Sequence, residues 1–441
     1  MGPGGRIAAL ATVLACVAAA APAFAVVADP HAQVAPPSTL DQLNAARDAA
    51  GRRSDALVAK GDLDGARGGL EAEVGFSRQI AAADPTDSSQ SLLMHSLRRL
   101  AWLLVAQSDF PDAQRLYDEA IGIAQRLAAD DPQSAGAAID VASTLQGRGD
   151  VRLSEGDLSG AGDDYAQALA FDRKAAAADP TSTAAAKDVA LALEGAGDAL
   201  AAQGDKIGAA EDYRAALDAF AKLAASDPGS AGAARDLAIE QGRVGDRLLA
   251  AGDPDGARDA FDASVTAMRA AAADNPTSSG AARDLELALN KLSYALRLGG
   301  GDLASAETPA REALAIGRRL AEADANSPSA QADLVFALGR YGDLRLIQHD
   351  DAGARAADAE ALEIEKALAR TRPEAILPAR SVGQIMARLA DIPGGGVTWA
   401  QVVGYVERLQ ARGLFEAEDA RTLAYYRQRA ADAAATPGSA R

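Results

Sequence analysis

The chain predicts an all-α fold, an α-solenoid of about seven stacked helix-turn-helix repeats closed by a C-terminal helical cap. Three observations predict it: a helix-favouring composition, a segment that recurs every 47 to 49 residues, and turn signals at two set places in each copy. Hydrophobic residues make up 49% of the 441 residues and aromatics only 4%, so the apolar fraction is largely Ala, with Leu and Val behind it. Helices suit that composition better than strands, which draw on aromatic and β-branched residues. A repeat array also grows by adding units, with no need for one large core.

The recurring stretch is typified by GDLSGAGDDYAQALAFDRKAAAADP, residues 156 to 180. A small residue stands at Ala66, Ala113, Ala161, Ala209, Ala257, Ala306 and Ala354, at intervals of 47, 48, 48, 48, 49 and 48 residues. Four residues later come Leu70, Tyr117, Tyr165, Tyr213, Phe261, Ala310 and Asp358. Four further on come Val74, Ile121, Leu169, Leu217, Val265, Leu314 and Leu362. Positions i, i+4 and i+8 share one helix face, so each copy carries a buried stripe on the second helix of a hairpin.

About five residues before each Ala lies a turn: Gly61-Asp62, Ser108-Asp109, Gly156-Asp157, Gly204-Asp205, Gly252-Asp253, Gly301-Asp302 and His349-Asp350. Gly suits the left-handed position that ends a helix, and Asp caps the free N–H groups that start the next. Gly299-Gly300-Gly301 adds one residue there and accounts for the 49-residue interval. The second helix ends at Asp84-Pro85, Asp131-Pro132, Asp179-Pro180, Asp227-Pro228 and Asn275-Pro276, and more loosely at Asn326-Ser327-Pro328. Proline disfavours helical geometry in the residue before it, and Ser134, Thr183 or Ser230 is placed to cap the following first helix. Each helix then has roughly 20 residues and a length of about 30 Å.

These residues resemble the tetratricopeptide repeat, which carries L-G-x2-Y in its first helix and A-x3-F, then Pro, in its second. Gly149, Gly197, Gly245 and Gly342 stand twelve residues before the repeated Ala, and A-x3-[YF] recurs at Ala113/Tyr117, Ala161/Tyr165, Ala209/Tyr213 and Ala257/Phe261. The unit is longer than the family's, with the surplus outside the matched core, as in elongated bacterial arrays. The resemblance covers residues 38 to 372. It implies a right-handed solenoid that binds protein or peptide partners along its first helices, at the second, fifth, ninth and twelfth motif positions. With the Gly as the eighth, the fifth and ninth are Arg98 and Trp102, Gln146 and Asp150, Glu194 and Asp198, Gly242 and Asp246, Asn290 and Tyr294, Gly339 and Asp343. The Lys, Arg and Asn clamp that some members use for a C-terminal carboxylate is missing. The middle copies instead carry an acidic ladder, Asp150, Asp198, Asp246 and Asp343, with Glu194 beside it. Either these carboxylates bond between neighbouring helices, or they receive a partner with basic segments.

The ends fall outside the period. MGPGGRIAALATVLACVAAAAPAFA, residues 1–25, has the anatomy of a cleaved signal peptide, with one Arg, an apolar run and Ala23-Phe24-Ala25. The expected location is periplasmic or secreted. Val13-Leu14-Ala15-Cys16 leaves open a lipid anchor through Cys16, the only cysteine. Residues 26–37 read as a flexible leader. After Pro373 the period is lost, and residues 373–433 read as a helical cap or a docking module with Trp399 and Tyr426 as anchors. Helical patterning covers 379–390, Thr398 caps a helix whose Trp399, Val402, Val403, Val406 and Leu409 share a face, and a last helix spans about 416–433. Residues 434–441 read as a disordered tail.

Catalytic chemistry is scarce. His31, His95 and His349 are not spaced for a shared metal, and no phosphate loop, dinucleotide, zincin or nucleophile-elbow motif occurs. Asp62-Leu63-Asp64-Gly65 lacks the remaining ligands of a calcium loop and reads as an acidic helix start. The expectation is a non-enzyme without cofactor or metal, an enzyme site in the C-terminal segment being the remote alternative. A net charge of −18 repels nucleic acid and anionic lipid, and no stretch after the N-terminal run could span a bilayer.

Overall fold

The computed structural model of the chain describes residues 39–226, 231–299, 303–414 and 419–435. The expected signal sequence with Cys16 and the expected leader, the stretches 227–230 and 300–302 where turns are expected, residues 415–418 and the last six residues lie outside the described residues. Among the described residues there are seventeen α-helices and no strand. Seven hairpins come first: α1 (Thr39–Val58) with α2 (Leu63–Ala83), α3 (Asp87–Ala106) with α4 (Phe110–Asp130), α5 (Ala135–Glu155) with α6 (Leu158–Ala178), and α7 (Thr183–Gln203) with α8 (Lys206–Ser226). They continue with α9 (Ala231–Ala251) and α10 (Pro254–Asp274), α11 (Ser279–Leu298) and α12 (Leu303–Ala323), α13 (Pro328–Ile347) and α14 (Asp351–Thr371). Three helices follow, α15 (Ile376–Asp391), α16 (Trp399–Ala411) and α17 (Asp419–Ala435). The chain divides into two compact units, one through Leu223 and one from Ala224. Within each, consecutive helices pack in series, and the first helices of adjacent hairpins also touch, as in a repeat solenoid.

Local chemistry sets the hairpin turn. Gly61, Gly156, Gly204 and Gly252 end their first helices with φ between 77° and 89°. Ser108 and His349 take the same conformation at 62° and 60°, which costs an L-residue roughly 1 kcal/mol. The next Asp then caps the second helix: Asp62, Asp157, Asp205, Asp253 and Asp350 accept the N–H three residues ahead at 2.8–3.1 Å. That third residue is glycine in all five, and at Gly65, Gly160, Gly208 and Gly353 a Cβ would collide with the capping carboxylate. Asp109 is followed at that distance by Asp112 and makes no cap bond. The other turn is capped by serine at Ser134, Ser278 and Ser327, and by Ser182 rather than the neighbouring Thr183.

The stripe is buried. All seven repeated alanines are inaccessible, and Leu70, Tyr117, Tyr165, Tyr213, Phe261, Ala310 and Asp358 are buried four residues on. Leu169 and Leu217 are half-buried, unlike their counterparts in the other copies. Small residues on the first helices make room for the rings: a Cβ at Gly149, Gly197 or Gly245 would press on Tyr165, Tyr213 or Phe261 of its own hairpin. Gly147 and Gly195 receive Tyr117 and Tyr165 from the preceding hairpin in the same way. Where the ring is replaced by Asp358, the buried carboxylate is matched by Arg388 of α15 at 3.0 Å.

Arg388 corrects the expectation that the period ends at Pro373. It stands 48 residues after Arg340, and α15 packs on α14 through Val382, Ile385 and Leu389, in the place an eighth first helix would take. Trp399 and Tyr426 follow the cap alternative and not the docking-anchor one. They are buried, with ring centroids 5.5 Å apart, in a cluster with Val402, Val406 and Leu423 that joins α16 and α17 to Ala387 of α15. Burial of their apolar area holds the segment together and takes both rings out of reach of a partner. The last helix starts at Asp419 and continues through Ala435, into the stretch expected to be disordered.

Candidate partner-binding faces

The twelve fifth- and ninth-position residues on the first helices separate by burial. Glu194 and Asn290 are inside the protein, as is Gly242, because the fifth motif position turns toward the second helices. They are not surface contacts. Gln146, at the same position, is half-buried and donates to the buried Asp172 of α6 at 2.8 Å. Burial pushes the Asp172 carboxyl up to about 7, with the Asp188 carboxylate adding to the rise and the Gln146 amide opposing it. Arg98 is half-buried and donates to Asp140 of α5 at 3.5 Å. Trp102 packs against the hydrophobic core of the first unit.

The acidic ladder is held by intramolecular partners at every step, and the partner differs between the units. In the first unit, Tyr165 and Tyr213 donate their hydroxyls to Asp150 Oδ1 and Asp198 Oδ1 at 2.5 and 2.7 Å, within one hairpin. In the second, Phe261 has no hydroxyl, and Lys291 Nζ reaches Asp246 from the next first helix at 2.7 Å while lying 5.8 Å from the Phe261 ring centre. Arg388 meets Asp343 at 2.7 Å in the same fashion. Of the two alternatives the sequence left open, bonding within the fold is what the geometry shows for these four carboxylates.

The cations form a ladder of their own that the sequence reading missed. Arg99, Arg243, Lys291, Arg340 and Arg388 occupy equivalent positions of the repeat, with Gly147 and Gly195 between the first two, and Arg99 pairs with Asp55 of the preceding first helix as Lys291 does with Asp246. The pattern was available as a column of cations interrupted by two glycines. Arg340 faces Tyr294 where Lys291 and Arg388 face Asp246 and Asp343, and its guanidinium stacks 4.7 Å from that ring centre. Arg297 stacks on the same ring at 4.8 Å.

Beside this cluster lies the most apolar exposed face on the first helices. Leu287 and Leu298 of α11 are 49% and 48% exposed, and their equivalents on α13, Phe336 and Ile347, are 44% and 39% exposed. Residues 287, 291, 294 and 298 fall on one side of a helix, as do 336, 340, 343 and 347, so α11 and α13 present matching stripes. Leu287 and Phe336 are second-position residues of the repeat, six before the small eighth position, which the fifth- and ninth-position reading passed over.

Among the described residues no group of three or more His, Cys, Asp or Glu is placed to hold a metal, and no helix is long and apolar enough to cross a membrane. A cleft of about 510 Å³ opens between α14, α15 and α16; its polar side chains are Lys366, Gln401 and Arg408.

The hairpins define an all-α array of stacked helix-turn-helix repeats. No protein-family model matches the chain, and no curated protein matches it either. Solved structures do. The chain is similar to BtubC from P. vanneervenii, with 18% identity over 65% of this chain and 93% of that one, at a TM-score of 0.42. It is similar to the nuclear import adaptor Nro1 of S. pombe, with 15% identity over 67% and 99% of the two chains, at a TM-score of 0.46. A tetratricopeptide repeat protein from Parabacteroides merdae shares 14% identity over 78% of this chain and 99% of its own, at a TM-score of 0.34.

Proposed function

We propose that this protein is a non-enzymatic interaction scaffold, exported to the periplasm or beyond the cell, that docks a protein or peptide partner on its first-helix faces. The observation that supports this most directly is the paired apolar stripe of α11 and α13, where four large side chains remain 39–49% exposed at equivalent places. Monomeric proteins seldom leave such groups contiguous without a partner for them. A partner with basic segments is proposed for the first unit, where Asp150 and Asp198 are half-exposed.

A photo-crosslinking residue in place of Phe336 or Leu298 should give a discrete adduct of one size in the envelope fraction of the source cell. The same residue in place of Arg311, exposed on the second helix α12, should give none. Adducts from all three sites, or from none, would remove the docking reading. Export is tested separately by mass spectrometry of the mature N-terminus. A chain beginning at Val26 supports signal cleavage, and an acylated Cys16 would point to a lipidated envelope subunit instead.

A further inference from the structure

We infer that the α11–α13 face takes a partner segment bearing a carboxylate between two apolar residues, an inference that rests on the docking reading above. The cation ladder carries it. Lys291 and Arg388 each meet an aspartate of the preceding first helix at 2.7 Å. Arg340, at the equivalent place, meets Tyr294, and Arg297 lies against the same ring. Among the described residues neither guanidinium forms an ion pair with a carboxylate. Phe336 adds a second aromatic surface 5.0 Å from Arg340.

Stacking uses the flat face of a guanidinium and leaves its N–H edge free to bind an acceptor in plane. Two such edges beside one tyrosine ring form a site for a carboxylate, which would supply the acid that Lys291 and Arg388 find within the chain. The surface beside Tyr294 is lined by Ser293, Arg297, Arg340, Leu344 and Asp343, the last of these paired with Arg388.

The apolar stripes set the spacing. Leu287 lies seven residues before Tyr294 and Leu298 four after, about 10 and 6 Å along the helix axis. Phe336 and Ile347 repeat this on α13. An extended segment crosses the combined span in about five residues, so its acid should lie three residues from one apolar side chain and two from the other. A basic residue at that place would meet two like charges and be rejected.

The test uses the full-length protein and three fluorescein-labelled octapeptides with leucine at positions two and seven, glutamate, glutamine or lysine at position five, and serine and alanine elsewhere. Fluorescence anisotropy should rank them glutamate, glutamine, lysine, with the glutamate peptide at least threefold tighter than the glutamine one. Arg297→Gln with Arg340→Gln should abolish that difference, Arg297→Lys with Arg340→Lys should keep part of it, and Phe336→Ser should weaken all three peptides. Unchanged circular dichroism melts would confirm that the variants fold. Binding that depends on Phe336 but ignores the residue at position five, or prefers lysine, would overturn the acidic inference and leave the docking reading standing. No binding by any peptide would overturn the inference, and the crosslinking from Phe336 would then judge the docking reading alone.

Discussion

In the first unit Asp150 and Asp198 are held by tyrosines of their own hairpins, and in the second Asp246 and Asp343 are held by cations of the next helix along. The equivalent column on the following first helix holds Gly195, Arg243, Lys291 and Arg388 for these four aspartates, so a cation in that column does not by itself displace the tyrosine. Gly195 admits the preceding ring, and Lys291 and Arg388 each reach an aspartate instead. The comparison teaches that one backbone repeat supports two ways of satisfying the same carboxylate, and that the cationic way can export its charge to a ligand when the acid is absent, as at Tyr294.

Removing a ring should do most to break this comparison. Tyr165→Ala should cost about 3–5 kcal/mol in urea unfolding, because the ring fills space between Gly149 and Gly195 that their missing side chains cannot reclaim. Equal stability to the parent would show that the ring is not part of the seam.

Next in size is a pH effect with one carboxyl in each unit. Burial pushes Asp172 up to about 7 in the first, and burial aided by Asp333 pushes Glu286 up to about 7 in the second. Both groups bind a proton more tightly folded than unfolded. Their contribution is therefore fully present below the unfolded pKa near 4 and is lost as pH rises through about 7. The melting temperature should fall between pH 5.5 and 8, and Asp172→Asn with Glu286→Gln should flatten that slope and stabilise the protein at pH 8 by on the order of 1–3 kcal/mol. An unchanged slope in the double variant would show that neither group titrates differently on folding.

The column of glycines and cations offers a sharper contrast. Gly195→Ala should cost about 1–3 kcal/mol, since its methyl overlaps the Tyr165 ring. Lys291→Ala, which breaks a partly exposed pair, should cost about 1 kcal/mol or less. Comparable in size is Tyr165→Phe, about 0.5–1.5 kcal/mol for the hydroxyl lost from Asp150. Its mirror, Phe261→Tyr in a Lys291→Ala background, should recover part of that loss by offering Asp246 a hydroxyl; no recovery would show that the two units differ in more than this hydroxyl.

The two turn signals, the buried alanines and the aromatic stripe were all legible in the chain, because each rests on spacing within one helix or one turn. So was the aspartate cap, although its dependence on the third glycine was not noticed. Trp399 and Tyr426 left a cap and a docking module both open, since an aromatic pair on two helices is a core or a docking surface according to what packs over it. Glu194 and Asn290 were misread since helix rotation, and not motif position, decides which residues face inward.

By itself the sequence determined the number of hairpins, their period and their seam, for these follow from short-range geometry repeated in register. Only the tertiary structure decided which carboxylates are already satisfied, that Arg388 carries the ladder past the last matching copy, and that Arg297 and Arg340 meet a tyrosine rather than an acid. Those outcomes depend on contacts between residues about 30 to 50 positions apart, whose distances are set by how neighbouring hairpins lean on one another.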